Sequence, residues 1–295
     1  MSNETHDPRT VRTSAIAGTW YPGSKRELAK AVDEFLAQAE FYATDDELIA
    51  LIAPHAGYRY SGPTSGHAYR QLTGRTFETV VLLGPSHSEN WGPFAISAKQ
   101  YYATPLGEIE LAHDFIDRLA DRIAIARVER DREHSLEIQL PYLQRTLGDF
   151  KLVPIMVTLP FYLLGAGVLE ACQELSATLA DLGRGRRVLF VASSDLSHIP
   201  DYEAVNQFDA QTAEMVAAFD IPRLAQAMSQ DGECRACGDA PIVIALLAAQ
   251  QLGANRARVL HRTNSGDVTG VRTRGQYTVG YLAAAVYKTT VSSKQ

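Results

Sequence analysis

Three histidines follow short apolar runs of the chain, each at the point where the run gives way to a loop. The runs and the histidines after them are residues 48–53 and His55, residues 79–83 and His87, and residues 187–192 and His198. Asp195 lies in the same loop as His198. Imidazole and carboxylate groups bind zinc, iron and copper, and a histidine that titrates near neutral pH also suits general acid–base catalysis. The residue types leave both chemistries open.

The apolar runs predict the elements that position these side chains. Runs of five or six residues are short for helices and are typical of strands buried on both faces, as in a parallel sheet. In open α/β sheets, ligands bind outside the carboxyl ends of the strands, where the strand-to-helix loops emerge. If the three strands are parallel neighbours, the three histidines and Asp195 share one site.

Cys237 is a further candidate, in the sequence GECRACGD with Cys234. One CxxC pair cannot form an all-cysteine zinc site, and the flanking residues lack the aromatic context of a thioredoxin-like motif. Cys237 precedes a predicted helix, whose N-terminus is expected to lower the pKa of a thiol and favour the thiolate. A thiolate there could bind a metal or react with electrophiles, and a buried, inert thiol is the alternative.

His134 and Glu137 belong to a predicted helix that opens with EHSLE and is kinked or ended by Pro141. On a helix these two side chains share a face, so either a functional role or an ordinary cap and salt bridge explains them. The remaining histidines are not assigned to the site: His6 is incidental in the polar N-terminus, His67 is a packing or surface residue, His113 is a surface residue and His261 is an ordinary strand residue.

The composition is that of an ordinary globular protein of 295 residues, with 46% hydrophobic and 21% charged residues. A net charge of −6 argues against general binding to nucleic acid or anionic membranes. No apolar run approaches the roughly 18 residues of a membrane helix, and the polar N-terminus lacks the core of a secretory signal. Three cysteines do not suggest a disulfide framework. A cytoplasmic location is expected.

The chain is predicted to form a flexible N-terminal arm, residues 1–12, and one α/β domain, residues 13–290. Further predicted helices are residues 25–41, 64–72, 113–123, 133–148, 163–182, 202–219 and 222–230. Further predicted strands are residues 94–98, 101–105, 107–111, 151–158, 256–263 and 276–287, with a loop at residues 264–275. We find no linker or repeat that would divide the domain.

Nine segments together resemble the Memo family, which includes prokaryotic members named AmmeMemoRadiSam system protein B. They are AGTWYPG (17–23), APHAGYRYSG (53–62), HAY (67–69), LGPSH (83–87), TPL (104–106), EHSLEIQLPYL (133–143), VPIMV (153–157), SSDLSH (193–198) and CGDAPI (237–242). The segments span nearly the whole chain. The resemblance implies a single α/β domain like that of class III extradiol dioxygenases, with a central mixed, largely parallel sheet flanked by helices.

The resemblance also implies roles for individual residues. His55, His87 and Cys237 correspond to the metal ligands of the family, with iron or copper as the metal. Asp195 and His198 line the same pocket, and His134 lies close to it. Extradiol dioxygenases hold iron with two histidines and a carboxylate, whereas Cys237 is a softer third ligand that favours Cu(I) or alters the potential of iron. The resemblance therefore supports the dioxygenase-like fold for this chain more strongly than it supports ring-cleaving activity.

Three functional hypotheses follow. The first is a metal-dependent redox enzyme acting on an unidentified small molecule, in which His198 or His134 shuttles a proton and Asp195 orients a histidine. The second is a non-catalytic metal- or peptide-binding adaptor that works with a radical-SAM protein and a third, small protein, as the AmmeMemoRadiSam name implies. The third is a metal-free hydrolase that uses Cys237 with His198 and Asp195.

Overall fold

The computed structural model describes residues 10–87, 89–159, 166–229 and 235–289. Its strands are β1 (Val11–Arg12), β2 (Glu47–Ala53), β3 (Thr79–Pro85), β4 (Phe94–Ser97), β5 (Tyr101–Thr104), β6 (Gly107–Glu110), β7 (Ala126–Val128), β8 (Lys151–Val157), β9 (Val188–Ser193), β10 (His198–Ile199), β11 (Arg256–Asn264) and β12 (Thr278–Lys288). Its helices are α1 (Lys25–Gln38), α2 (Tyr58–Arg70), α3 (His113–Ala120), α4 (His134–Glu137), α5 (Leu140–Thr146), α6 (Ala166–Gly183), α7 (Tyr202–Ala218), α8 (Ile221–Ser229), α9 (Asp239–Gln251) and α10 (Ser265–Thr269).

A mixed sheet runs through the protein in the order β10-β12-β2-β9-β3-β8-β4-β7, with β11 also paired to β12. The four central strands, β2, β9, β3 and β8, are parallel, whereas β12 and β4 flank them in antiparallel pairs. Every residue of β3 and β9 is buried, as expected for strands covered by helices on both faces. This confirms the predicted fold class, one α/β domain with a central mixed sheet flanked by helices.

The three strands that precede the histidine loops are parallel neighbours, as the predicted site requires. β9 lies between β2 and β3, with Ala53 opposite Ser193 and Leu83 opposite Ala192. The carboxyl ends of these strands are therefore almost in register. The loops that follow them leave the sheet at the same edge.

Helix α2 begins at Tyr58, six residues before its predicted start at residue 64. The two glycines and Pro63 in YRYSGPTSG are typical of a turn, but both glycines allow close packing against α1 instead. A Cβ at Gly62 would lie 2.6 Å from Cε2 of Phe35, and one at Gly66 would lie 2.7 Å from the Phe35 carbonyl oxygen. Helix α2 therefore follows directly on the His55 loop.

The predicted helix 133–148 is divided in two, as Pro141 indicates. Helix α4 ends at Glu137, and Pro141 occupies the first turn of α5, where a missing N–H is tolerated. A Cβ at Gly84 would lie 2.5 Å from Ser135 Oγ, so glycine at the end of β3 allows α4 to approach. This contact brings His134 close to the end of β3.

The predicted N-terminal arm is wrong at its inner end. Residues 1–9 lie outside the described residues, but Val11 and Arg12 form β1, which pairs with β5. The Arg12 guanidinium is buried, lies 3.3 Å from Asp131 and forms an ion pair with Glu137. The electrostatic attraction of Arg12 to these two carboxylates explains why residues 11 and 12 are part of the folded domain.

The predicted loop 264–275 is also partly wrong, because α10 occupies Ser265–Thr269 and Asn264 caps its N-terminus. Asn264 Oδ1 accepts a hydrogen bond from the main-chain N–H of Asp267, a local signal within a segment rich in turn-forming residues. None of the helices in the described ranges is long and apolar enough to cross a membrane.

Candidate metal centre

Three imidazole rings meet at the carboxyl edge of the parallel strands. His55 follows β2, His87 follows β3, and their ring centroids are 5.1 Å apart. His134, at the start of α4, has its ring centroid 5.7 Å from that of His55 and 4.4 Å from that of His87. The predicted convergence of His55 and His87 is therefore observed, and His134 joins them from a third element.

Cys237 reaches the same cluster from the loop before α9. Its Sγ lies 3.0 Å from His55 Nε2, and its main-chain N–H donates to the Asp195 carbonyl oxygen. A Cβ at Gly238 would lie 2.6 Å from the Ser193 carbonyl oxygen, so glycine allows this loop to lie against the end of β9. Cys234 lies outside the described residues.

One ligand atom from each of His55, His87 and Cys237 lies within 4.8 Å of the other two. Three donor atoms this close together can bind one metal ion. The other nitrogen of His55, Nδ1, is 3.1 Å from Ser193 Oγ, so Nε2 is the nitrogen that faces the thiol. Two imidazoles and a sulfur suit borderline and soft metals such as iron and copper.

A second group, His87, Glu133 and His134, also has its potential ligand atoms within 4.8 Å of one another. Glu133 is fully buried and already accepts hydrogen bonds from the main-chain N–H groups of His87 and Ser135, at 2.7 and 2.9 Å. Burial alone would raise the pKa of Glu133, but the hydrogen bonds and charge of His87 outweigh it and lower that pKa to about 2. A metal ion here would have to displace these donors, so this group is the poorer fit to a metal.

Burial holds two histidines of the cluster, His55 and His134, in the neutral form near neutral pH. Burial, together with the charges of neighbouring histidines, lowers the pKa of His55 well below its usual range. Burial likewise lowers the pKa of His134 to about 4. Imidazoles must be unprotonated on the binding nitrogen to hold a metal, so the shift of His55 favours binding near neutral pH, and a neutral His134 adds no positive charge beside the ligands.

The expectation that the helix N-terminus lowers the pKa of Cys237 is wrong. Burial raises that pKa well above its usual range, and the negative charge of Asp195 acts in the same direction. In the metal-free protein the thiol therefore keeps its proton. The same burial opposes the metal-free hydrolase, which needs a reactive thiolate, and the hydrogen-bonding partner of Cys237 is His55 rather than His198.

Asp195 supports the cluster through the main chain. Its Oδ1 accepts hydrogen bonds from the N–H groups of His55, at 2.7 Å, and Ala56, at 3.2 Å. Its Oδ2 lies 3.9 Å from His198 Nε2. Burial raises the pKa of Asp195 to about 7, although the two N–H donors act in the opposite direction. The carboxylate thus positions the backbone at His55 and approaches the ring of His198.

The cluster opens into a cavity of about 990 Å³. Side chains that line it include His55, His87, His134, Asp195, His198, Trp20, Arg59, Tyr60, Val271, Tyr277 and Tyr281. Trp20, Tyr60 and Tyr277 are 38%, 36% and 57% exposed, although large apolar side chains are usually buried. The cavity lining therefore combines titratable side chains, of which His55 and Asp195 are buried and His87 and His198 are exposed, with exposed aromatic rings.

Trp20 and Glu133 are among the contributors that sequence reasoning missed. Trp20 enters the sequence analysis only as part of the segment AGTWYPG, yet its ring centroid lies 4.3 Å from that of His134. Glu133 was considered only as the first residue of EHSLE, yet it contacts both His87 and His134. Its position directly before His134 was the available signal. His67 of α2 and His261 of β11 stack on each other, which fits the packing alternative for His67 and the strand position predicted for His261.

The fold and site define an α/β protein with a candidate metal centre of two histidines and a cysteine at the ends of parallel strands. A family model described as Memo-like protein matches residues 12–285. A MEMO1 family protein of Methanosarcina acetivorans is 32% identical over 283 residues, covering 94% of this chain and 99% of the relative. One from Methanococcoides burtonii is 33% identical over 280 residues, covering 94% and 100%. The chain belongs to the Memo family. An uncharacterized protein from Escherichia coli K12 aligns with a TM-score of 0.46 at 12% identity, over 80% of this chain and 99% of that one.

Proposed function

We propose that the protein binds an iron or copper ion through His55, His87 and Cys237 and uses it for redox chemistry on a small molecule held in the cavity. The observation that carries this proposal is the approach of three ligand atoms to within 4.8 Å of one another beside the cavity. When bound, such a metal would supply one-electron redox chemistry to the cavity.

Cys237 would influence which metal this centre prefers and the redox potential of that metal. A thiolate is softer than the carboxylate of a two-histidine, one-carboxylate iron site, so it favours Cu(I) or changes the potential of bound iron. Because the thiol is protonated in the metal-free protein, binding a metal through sulfur would release that proton. Metal affinity is therefore expected to rise with pH.

Two further histidines would act in proton transfer. His134 and His198 both line the cavity next to the ligand set. His198 also lies beside Asp195, whose carboxylate would stabilise a protonated imidazole. In this proposal His134 or His198 takes a proton from the bound small molecule, while Asp195 keeps the main chain at His55 in place.

The test is metal analysis of protein purified without oxygen, comparing the wild type with His55→Ala. We expect the wild type to contain iron or copper and His55→Ala to lose most of it. His113→Ala is the matched control, because His113 lies at the start of α3 and does not line the cavity. Equal metal content in the wild type and His55→Ala would contradict the proposal.

The exposed aromatic side chains that line the cavity favour a second candidate function, a non-catalytic metal- or peptide-binding adaptor. Exposed apolar surface at a cavity often marks a binding site, and Trp20, Tyr60 and Tyr277 all expose part of their rings in this lining. The partners proposed for this role are a radical-SAM protein and a third, small protein. Oxygen uptake with a panel of catechols separates the two functions, because sustained uptake that is lost in His198→Ala would reject the adaptor.

A further inference from the structure

We propose that Glu133 is a positioning residue that sets the tautomers of His87 and His134. Its Oε1 lies 2.9 Å from Nδ1 of His87 and 3.3 Å from Nδ1 of His134, so one carboxylate oxygen faces the same nitrogen of both rings. The two rings are nearly parallel, with 25° between their planes. The inference rests on the proposed function, since it concerns how His87 presents its other nitrogen to a metal.

Glu133 is itself held in place from several sides. Its main-chain N–H donates to Asp131 Oδ1 at 2.7 Å, and its carbonyl oxygen accepts from Arg12 Nη2 at 2.8 Å. Its two carboxylate oxygens accept from the main-chain N–H groups of His87 and Ser135. A buried side chain with this many partners has little freedom to rotate, so it can define the orientation of the rings it contacts.

The hydrogen bonds decide where the histidine protons reside. Both carboxylate oxygens of Glu133 already accept from main-chain N–H groups, so the carboxylate acts as an acceptor. Nδ1 of His87 must then carry the proton of the 2.9 Å hydrogen bond, which leaves the lone pair on Nε2 for a metal. His134 Nδ1 makes no hydrogen bond to Glu133, but it lies 3.3 Å from the negatively charged Oε1, which repels a lone pair and favours the ring proton on Nδ1, so that Nε2 is the acceptor.

Glu133→Gln tests this role with little change in shape. If the amide nitrogen replaces Oε1, it donates to Nδ1 of His87 and moves the ring proton to Nε2. If it replaces Oε2, it faces the main-chain N–H of His87 and pushes that residue away. In both orientations the lone pair on Nε2 of His87 is lost or displaced. Substituting a residue that hydrogen-bonds to a metal ligand typically weakens metal affinity about 10–100-fold.

Glu137→Gln is the matched control. Glu137 is equally buried and lies one helical turn further on, but it accepts hydrogen bonds from Tyr21, Ala15 and Arg12 rather than from a histidine. Its substitution is expected to lower the unfolding temperature while leaving the metal affinity of the folded protein within about threefold of the wild type. A purely structural role for Glu133 predicts the same result for Glu133→Gln.

The experiment has two readouts. The first is ¹⁵N NMR of the histidine rings in the metal-free wild type, which is expected to show His87 and His134 protonated on Nδ1; protonation on Nε2 would overturn the inference. The second is titration with Co²⁺ alone, followed by the thiolate-to-cobalt absorption band, in which Glu133→Gln is expected to bind about 10–100-fold more weakly. If the wild type binds no Co²⁺ while its tautomers are as predicted, the proposed function fails and the inference about the tautomers stands. If both proteins bind equally, the inference fails and the proposed function stands.

Discussion

The buried carboxyl group of Asp195 makes the stability of the metal-free protein depend on pH. Its pKa, about 7 in the folded protein, compares with about 4 for an exposed aspartate. Asp195→Asn keeps an oxygen that can accept from the N–H groups of His55 and Ala56, but it removes the charge. The substitution therefore separates the effect of ionisation from that of the hydrogen bonds.

The raised pKa of Asp195 determines whether the free energy of unfolding rises or falls with pH. An acid whose pKa is raised on folding favours the folded state while it is protonated, and this contribution is lost as the pH rises from the unfolded pKa through the folded one. With pKa values of about 4 and 7, the free energy of unfolding of the wild type falls by about 2–3 kcal/mol between pH 5 and pH 8 relative to Asp195→Asn. The relative stability of the variant is thus expected to rise mainly between pH 5 and pH 7 and to level off above pH 7.

The assay is urea denaturation of both metal-free proteins at pH 5, 6, 7 and 8. Taking the difference between wild type and variant at each pH cancels the titration of groups that behave alike in both proteins. Asp45→Asn, at an exposed site, should show a pH-independent difference from the wild type. A difference between wild type and Asp195→Asn that stays constant within about 0.5 kcal/mol from pH 5 to pH 8 would refute the argument.

Three further outcomes are expected. Gly238→Ala should weaken Co²⁺ binding at least tenfold, because its Cβ would push Cys237 away from the end of β9. Gly167→Ala is the control and should bind Co²⁺ as the wild type does, because the space around Gly167 is open. Cobalt titration measures both affinities. Arg12→Met should lower the free energy of unfolding by about 3–5 kcal/mol in urea denaturation, since it leaves the buried carboxylate of Glu137 unpaired. Metal affinity of the wild type should rise between pH 6 and pH 8 in the same titration, because binding through Cys237 releases a proton; a flat profile would argue against sulfur as a ligand.

The parts of the fold that could be predicted are those encoded in local patterns. The apolar runs that became β2, β3 and β9 are short, continuous and followed by turn residues, so strand type and burial followed from neighbouring residues alone. Their parallel pairing then brought His55 and His87 together without any further information. The start of α2 was missed because its glycines serve packing against Phe35, a contact between helices that a local pattern does not contain.

The chemistry of the site depended more on partners distant in sequence. The pKa of Cys237 follows from burial in the folded protein, which outweighs the effect of its helix position. The part played by Glu133 depends on His87, 46 residues earlier in the chain. Arg12 was assigned to an arm because the two carboxylates that bind it lie more than a hundred residues away. Residue type suggested which side chains could react, while these contacts determine their protonation and orientation.

The position of β12 has a consequence for biosynthesis. This last strand pairs with β2 on one side and β11 on the other, and the main chain of Gly280 hydrogen-bonds to Leu196 and Ser197, in the loop between Asp195 and His198. Until β12 has been synthesised, the loop between Asp195 and His198 has no strand to pair with. Because 191 positions separate His87 from Thr278 at the start of β12, the cavity wall beside His198 can form only long after both His55 and His87 have been added to the chain.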